Sequence, residues 1–365
     1  MLEFNKKLEN IKTYEAGKPI ELVVREYGIE AADIIKLASN ENPYGCSPRV
    51  QDSIASIVAK MALYPDDSMT KLKGGLSKRF DVEDENIIIG SGSDQIIEFL
   101  MHAKANENSK ILINNVTFAM YEIYAKHVGA QIIRTSSQEH NLDEFYKLYK
   151  EEKPDVIFLC TPNNPTGDAL NGSSVFEFLD KIDDNTLVVV DGAYMEYAQA
   201  KDTSKKIDPK IIAEKYSNVI YLGTFSKAYG LGGMRVGYGV SNKHIIQELY
   251  KLRPPFNVTT LSLEAASVAL SDDEFVNKSI SQNFQEMNRY KEFALEKKID
   301  IIESYTNFVT LVFSETLNSS EISNKLLKKG MIIRDLSGYK MNAIRVTVGT
   351  STQNSKFFEL LEELL

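Results

Sequence analysis

Between residues 86 and 240, short apolar runs rich in β-branched side chains alternate with longer stretches of helical periodicity. The strand-like runs are NIIIG (86–90), KILIN (110–114), AQIIRT (130–135), DVIFLC (155–160), TLVVVD (186–191), NVIYLG (218–223) and RVGYGV (235–240). Helical stretches separate most of them, for example SDQIIEFLMHAKA (93–105) and SSVFEFLDKI (173–182). Because strands that are apolar along their whole length are buried on both faces, the alternation predicts an α/β fold with a mainly parallel sheet wrapped by helices.

The last third of the chain has a different pattern. The run RPPFN (253–257) interrupts the alternation, and a long helical stretch begins near Thr259. Beyond Asp300 come a strand-like FVTLVF (308–313), a helical EISNKLLKKG (321–330) and the short runs MIIRD and AIRVTV. We therefore predict a large domain over residues 36–255 and a smaller α+β domain over residues 256–365. Residues 1–35 are predicted to form an arm that packs on the small domain or on a partner subunit.

The composition narrows the class of protein. The 365 residues are 43% hydrophobic and 25% charged, as expected for a globular chain of about two domains. A net charge of −9 argues against nucleic acid or an anionic membrane as the main partner. No apolar run reaches the roughly 18 residues of a membrane span, and no signal-peptide core is present. Cys46 and Cys160 lie far apart and the four histidines are scattered, so we expect a reduced, cytoplasmic protein without a metal site.

Motifs whose side chains could bind a ligand or react with it follow the predicted strands. They lie at the sheet edge where α/β folds bind their ligands. TFSKAYGLGGMR (224–235) brings hydroxyl groups and Arg235 close to Lys227, whose amine can form an imine with an aldehyde. The pattern alone also allows a solvated lysine in a polar turn. TLVVVD ends at Asp191, and Tyr194 follows three residues later. A carboxylate at this point can pair with a pyridine nitrogen or can simply cap a helix.

Two further motifs follow other strands. TPNNPTG (161–167) predicts a rigid turn that leaves the Asn164 amide available for a ligand oxygen. GSGSDQ (90–95) stands between a strand and a helix, where successive backbone amides suit a phosphate. Gln95 occupies the position of the third glycine in a dinucleotide fingerprint, so a nicotinamide cofactor is poorly supported.

In their order along the chain, these motifs resemble those of the histidinol-phosphate aminotransferases, fold-type I enzymes that depend on pyridoxal phosphate. Other stretches that carry the resemblance are TYEAGKP (13–19), LASNENPYG (37–45), LYPDD (63–67), VTFAMY (116–121), PPFNV (254–258), TNF (306–308), IIRD (332–335) and IRVTVGT (344–350). The resemblance implies the fold of this family, with a seven-stranded, mostly parallel sheet. It also implies a step of histidine biosynthesis, the reversible, ping-pong transfer of an amino group from L-histidinol phosphate to 2-oxoglutarate, which yields imidazole-acetol phosphate and L-glutamate.

The resemblance assigns roles around the cofactor to individual residues. Lys227 would carry pyridoxal phosphate, and Asp191 would pair with its pyridine nitrogen. Asn164 and Tyr194 would bind its phenolic oxygen. Phe118 would stack on the ring, where many family members have a tyrosine, so that the hydroxyl is lost here. The implied phosphate ligands are Ser93, Asp94, Gln95, Thr224, Ser226 and Arg235, with Tyr64 from the neighbouring subunit of a homodimer.

The resemblance also implies a substrate site. Arg334 and Arg345 would bind the phosphate of one substrate and the carboxylate of the other, because a guanidinium group matches either anion at two points. Tyr14 would lie near the substrate phosphate, and Asn40 and Asn307 would line the pocket. These residues favour a phosphorylated amine together with 2-oxoglutarate or glutamate as the small-molecule partners.

Other functions share much of this pattern. An aromatic amino-acid aminotransferase and a phosphothreonine decarboxylase have overlapping recognition residues and stay open as alternatives. A transcription regulator built on an aminotransferase body would need a DNA-binding domain, for which the dozen residues before Thr13 are too few. A catalytically dead relative would be expected to lose Lys227, which is present.

Overall fold

A computed structural model gives the structure of the chain and describes residue 2, residue 11 and residues 20–365. Tyr14, which the sequence analysis assigns to the substrate site, lies outside the described residues. The strands are β1 (Ile35–Lys36), β2 (Ile87–Gly90), β3 (Lys110–Ile113), β4 (Gln131–Arg134), β5 (Val156–Cys160), β6 (Leu187–Asp191), β7 (Val219–Thr224), β8 (Gly237–Ser241), β9 (Asp300–Ile301), β10 (Phe308–Val312), β11 (Met331–Ile332), β12 (Arg334–Asp335) and β13 (Ala343–Thr347).

Seven of these strands form the central sheet, in the order β2-β8-β7-β6-β5-β3-β4. Neighbouring strands from β7 to β4 run parallel, whereas β8 runs antiparallel to both β2 and β7. The seven strands are those that the apolar runs predict, and the mostly parallel α/β fold is confirmed. Side chains alternate between the two faces, so that Val188 and Val190 join one apolar cluster and Val189 joins the other. Burial of each such side chain stabilises the fold by about 1.5–3 kcal/mol.

Helices cover both faces of the sheet. They are α1 (Ile20–Tyr27), α2 (Pro48–Ile57), α3 (Thr70–Phe80), α4 (Gly92–Lys104), α5 (Ala119–Val128), α6 (Leu142–Glu152), α7 (Gly172–Leu179), α8 (Met195–Lys201), α9 (Pro209–Lys215), α10 (Lys243–Tyr250), α11 (Thr260–Ala269), α12 (Asp273–Lys297), α13 (Ser319–Lys328) and α14 (Ser351–Glu362). The helical stretch expected from Thr259 consists of two helices. The second begins after Asp272, whose carboxylate accepts a hydrogen bond from the Phe275 amide at 3.3 Å.

The C-terminal part contains a four-stranded antiparallel sheet in the order β12-β13-β10-β9. Near the N-terminus, β1 pairs in parallel with β11 of this part. Helix α11 packs toward the large sheet, because Ala265 and Ala266 belong to the same buried cluster as Val188. The domain limits at residues 35 and 255 stay a prediction.

The described residues also bear on membrane spans, metal binding and disulfides. In residues 20–365, no helix combines the length and apolar character that crossing a bilayer requires. No group of three or more His, Cys, Asp or Glu side chains in the described part of the chain could hold a metal ion. Cys46 and Cys160 are both free thiols.

Candidate active site

The motifs that follow β5, β6 and β7 meet at one edge of the large sheet. Cys160, Asp191 and Leu222 are in register on these three parallel strands. The turn with Asn164, the loop with Tyr194 and the turn with Lys227 therefore begin side by side. This is the carboxyl edge of the sheet, where α/β proteins bind ligands.

Lys227 is half-buried in the turn that follows β7. Its Nζ donates to the carbonyl oxygen of Ser39 at 3.2 Å and lies 5.8 Å from the centre of the Tyr194 ring. Burial, followed by the positive charges of Arg345 and Arg235, lowers the pKa of the Lys227 amine to about 8. These surroundings differ from those of a solvated lysine, the alternative that the sequence allowed.

Asp191 ends β6, and its side chain is buried. One carboxylate oxygen accepts from the Ala193 amide at 3.1 Å, and the other accepts from the Tyr121 hydroxyl at 2.6 Å. Burial raises the pKa of the Asp191 carboxyl. Helix α8 has Tyr194 as its N-terminal cap residue, so Asp191 does not cap this helix.

Tyr194 and Asn164 each have one polar atom engaged within the protein. The Tyr194 hydroxyl accepts from Asn40 Nδ2 at 2.8 Å, and its ring meets Phe308 edge-on at 5.4 Å. Asn164 Oδ1 accepts from Arg345 Nη1. Both groups keep a donor that these bonds do not use, the Tyr194 hydroxyl hydrogen and the Asn164 amide nitrogen.

The TPNNPTG turn is held against the segment that carries Phe118. Asn163 Nδ2 donates to the carbonyl oxygen of Val116 at 2.9 Å, and Asn163 Oδ1 accepts from the Thr117 hydroxyl at 2.9 Å. Phe118 immediately precedes α5 and meets the Tyr121 ring edge-on at 5.6 Å. Phe118 thus lies next to Thr117, which contacts the turn, and its ring contacts Tyr121, whose hydroxyl binds Asp191.

Arg235, Ser226 and the beginning of α4 form a single cup. Arg235 Nη1 donates to the Ser226 hydroxyl at 3.3 Å. The other guanidinium nitrogen covers Gly92, where an added Cβ would lie 2.6 Å away from it. Gly92 also has a φ of +79°, a backbone conformation that favours glycine. Because the first amides of a helix lack helical acceptors, the cup combines a cation with free donors and suits an anion.

The other residues predicted around this cup have different surroundings. Gln95 Oε1 accepts from the Ser91 amide at 2.8 Å and from Asn257 Nδ2 at 2.7 Å, so this side chain braces the loop. Thr224 Oγ1 accepts from the Ser226 amide at 3.1 Å. Asp94 accepts from the Tyr124 hydroxyl at 2.8 Å through Oδ2, while its buried Oδ1 has no partner in residues 20–365. Burial raises the pKa of the Asp94 carboxyl.

The two predicted arginines lie on adjacent strands of the small sheet. Arg334 on β12 and Arg345 on β13 are direct cross-strand partners. Such partners project from the same face, where like charges repel each other unless an anion balances them. Only 9% of Arg345 is exposed, and its Nη2 donates to the carbonyl oxygen of Ala38 at 2.7 Å. The pair is therefore suited to an anionic ligand.

Asn40 and Asn307 connect residues 37–40, which we call the seam, to the small sheet. The Asn40 amide donates to the Thr347 hydroxyl at 2.9 Å, and Asn307 Nδ2 donates to the carbonyl oxygen of Asn40 at 3.0 Å. The Leu37 carbonyl oxygen accepts from the Thr347 amide at 2.8 Å. Through Asn40, the seam also reaches Tyr194.

Tyr64 lies on the surface, with 82% of its area exposed. Its ring stacks on Phe256 at a centroid distance of 4.6 Å.

Sequence reasoning missed Tyr121, Tyr124 and the carbonyl oxygens of Ala38 and Ser39. VTFAMY marks the segment of Tyr121, but no local signal shows that its hydroxyl reaches β6.

Residues 32–361 match the sequence profile of the family described as "Aminotransferase class I and II". The chain belongs to this family. A histidinol-phosphate aminotransferase of Sulfurimonas denitrificans is 70% identical to this aminotransferase over 364 residues, with 100% of both chains covered. One of Aliarcobacter butzleri is 60% identical over 364 residues, which cover 100% of this chain and 99% of the other.

A solved structure also resembles this aminotransferase. It is a histidinol-phosphate aminotransferase from Sinorhizobium meliloti in complex with pyridoxal-5'-phosphate, with a TM-score of 0.91 and 22% identity. The match covers 100% of this chain and 99% of that chain. At this identity the likeness supports the fold alone.

Proposed function

We propose that this aminotransferase transfers the amino group of L-histidinol phosphate to 2-oxoglutarate, with pyridoxal phosphate attached at Lys227. The full-length identity to relatives named for this activity carries the proposal for the substrate. The arrangement of Lys227, Asp191 and Arg235 at one sheet edge supports the chemistry. Within histidine biosynthesis, the products would be imidazole-acetol phosphate and L-glutamate.

The residues at this edge fit pyridoxal phosphate at three points. The cup of Arg235, Ser226 and the first amides of α4 offers a cation and donors for the phosphate, with Ser93, Asp94, Gln95 and Thr224 around it. The buried Asp191 carboxylate suits a protonated ring nitrogen. Phe118, whose ring contacts that of Tyr121, offers an apolar face. The half-buried amine of Lys227 lies in the turn after β7, at the same sheet edge, and would reach an aldehyde bound there.

When bound, pyridoxal phosphate supplies an aldehyde for the substrate amine and a ring that withdraws electrons from the amino-bearing carbon. A pKa of about 8 leaves roughly a quarter of the Lys227 amine neutral at pH 7.5, against about 0.1% for an ordinary lysine. Lys227 would hold the cofactor through this neutral amine. The same amine would move the proton between the amino-bearing carbon of the substrate and the cofactor.

Three other side chains would orient the ring. Asp191 would hold the proton of the ring nitrogen through its carboxylate. Tyr194 and Asn164 each keep a donor, the hydroxyl hydrogen and the amide nitrogen, and both donors suit a phenolic oxygen that carries negative charge.

The arginine pair explains how one pocket serves both half-reactions. Histidinol phosphate carries its phosphate on the carbon next to the amino-bearing carbon, where glutamate carries its α-carboxylate. Arg345 and Arg334 project from one face and match either anion. Asn40 and Asn307 hold the seam beside this pocket. An aromatic amino-acid aminotransferase and a phosphothreonine decarboxylase are not favoured, because the full-length relatives carry a different name.

A homodimer with shared active sites belongs to the same proposal. Large apolar side chains are exposed together in the segment around residue 60 and near Phe256, namely Val58, Met61, Leu63 and Tyr64. An exposed apolar patch of this kind is typical of a protein interface. Tyr64, which keeps most of its area exposed, would reach the cofactor phosphate of the neighbouring subunit. The two free thiols support a cytoplasmic location.

A half-reaction tests this function. The purified protein is loaded with pyridoxal phosphate, mixed with L-histidinol phosphate, and followed by absorbance as the pyridoxamine form appears. We expect rapid conversion with histidinol phosphate and glutamate. Conversion with phenylalanine or tyrosine alone, or carbon dioxide release from phosphothreonine, would contradict the substrate. Lys227→Ala should abolish the borohydride-reducible adduct, and an adduct on another lysine would contradict the attachment site.

A further inference from the structure

The Asp191 carboxylate depends on a side chain from another element of the fold. Tyr121 lies on α5, seventy positions earlier in the chain, and its hydroxyl donates to Asp191 Oδ2 at 2.6 Å. Asp191 Oδ1 accepts from the Ala193 amide at 3.1 Å. Both carboxylate oxygens thus have one protein donor each, and both keep a further acceptor position for a ligand.

The Tyr121 phenol is immobilised by its neighbours. It is fully buried and stacks on Phe158 at a centroid distance of 4.4 Å, with 13° between the two rings. Phe118 meets its ring edge-on at 5.6 Å. A phenol held on two sides of its ring presents its hydroxyl at one point, so it can fix the orientation of the carboxylate.

The electrostatic surroundings work against an ionised Asp191. Burial raises the pKa of this carboxyl, and the negative charge of Asp94 raises it further. The hydrogen bond from Tyr121 and the Ala193 amide lower it. Burial and the nearby Asp191 raise the pKa of the Tyr121 phenol well above its usual value, so Tyr121 stays a donor. Cys160, level with Asp191 on β5, remains a neutral thiol because burial raises its pKa.

We propose that Tyr121 is a positioning residue that holds the Asp191 carboxylate ionised and oriented toward the cofactor ring. This inference rests on the proposed binding of pyridoxal phosphate, because Asp191 acts on the reaction through the ring nitrogen. Without the Tyr121 hydroxyl, the Asp191 carboxylate would hold the proton that it shares with the ring nitrogen more strongly. The ring nitrogen would then be protonated less, and electron withdrawal from the substrate would weaken.

Tyr121→Phe tests the inference, because it keeps the stacked ring and removes only the hydroxyl. In apoprotein labelled with ¹³C at the aspartate carboxyl groups, Asp191→Asn identifies the Asp191 resonance. We expect its titration midpoint to rise by about one to two pH units in Tyr121→Phe, the size of a hydrogen bond to a charged group. In protein loaded with ring-¹⁵N pyridoxal phosphate, the ¹⁵N resonance should move toward that of an unprotonated ring.

Tyr149→Phe is the matched control. Tyr149 is also buried, and its hydroxyl donates to Asp183 at 2.6 Å, outside the candidate site. This variant should leave the Asp191 midpoint and the ¹⁵N resonance unchanged. Thermal unfolding of both variants establishes that they are folded.

The outcomes separate the two proposals. An unchanged Asp191 midpoint in folded Tyr121→Phe, with a wild type that transaminates, would overturn the role of Tyr121 alone. An equal shift in Tyr149→Phe would also overturn it, because the effect would then not come from the bond to Asp191. A wild type that neither binds pyridoxal phosphate nor transaminates would overturn the proposed function, and the role of Tyr121 with it.

Discussion

Replacing Lys227 by methionine should stabilise the apoprotein at neutral pH. The burial of Lys227 and the charges of Arg345 and Arg235 lower the pKa of its amine from 10.5 to about 8. Between these two values the unfolded chain binds more protons than the folded chain. The free energy of unfolding of the wild type therefore rises as the pH rises from 8 to 10.5. Below pH 8, the folded protein carries the full cost of holding a charged amine.

The size of this cost follows from the two pKa values. The difference between the two pKa values corresponds to about 3 kcal/mol, nearly all of which applies at pH 7, whereas about 1 kcal/mol applies at pH 9.5. Methionine avoids the cost but loses the hydrogen bond to the Ser39 carbonyl, which contributes about 1 kcal/mol. We expect a net stabilisation of about 2 kcal/mol at pH 7 that nearly disappears at pH 9.5.

Urea unfolding of the apoproteins, at one protein concentration and at several pH values, measures this difference. Lys150→Met, at an exposed position on α6, is the control and should change the free energy of unfolding little at any pH. A Lys227→Met variant that is less stable than the wild type at pH 7 would refute the reasoning. An excess stability that grows with pH would refute it as well.

Three further predictions concern other parts of the molecule. Arg345→Gln should lower kcat/KM for histidinol phosphate by about 10- to 150-fold, since it removes a charged hydrogen-bond donor, and a change under threefold would contradict its role. Mixing inactive Lys227→Ala with Tyr64→Ala should restore about a quarter of wild-type activity through mixed dimers of a twofold-symmetric enzyme, and no recovery would contradict the shared site. Glu196 is half-buried with its Oε2 shielded from solvent, and burial raises its pKa to about 7. Glu196→Gln should therefore raise the free energy of unfolding by about 3 kcal/mol at pH 8 and by less than about 1 kcal/mol at pH 5, and an equal effect at both would contradict this cause.

The large sheet could be predicted from sequence because each of its strands is a short, continuous apolar run between polar turns. The run from Leu187 to Asp191 needs no partner to be recognised as a buried strand. The break at Asp272 was less visible, because the apolar periodicity continues on both sides of its capping side chain. Strand β1 has two residues and depends on pairing with β11, which no local pattern reveals.

The candidate site was predictable to the extent that its residues follow strands directly. Asn164, Asp191 and Lys227 follow β5, β6 and β7 or end them, so the topology alone brings them together. The contacts that side chains from distant parts of the chain make with the site were not predictable. The bond from Tyr121 to Asp191 spans 70 positions, and the bond from Asn40 to Tyr194 spans 154, so each depends on tertiary packing.

The seam affects how chimeric aminotransferases should be built. The Ala38 carbonyl oxygen accepts a hydrogen bond from Arg345 of the small sheet. The Ser39 carbonyl oxygen accepts one from Lys227, in the turn that follows β7 of the large sheet. Asn40 then binds Thr347 on one side and Tyr194 on the other. A chimera that exchanges only the C-terminal third would pair the arginine of another aminotransferase with the carbonyl oxygens of this chain. To transplant substrate preference intact, the donor sequence should include residues 37–40 as well as the C-terminal segment.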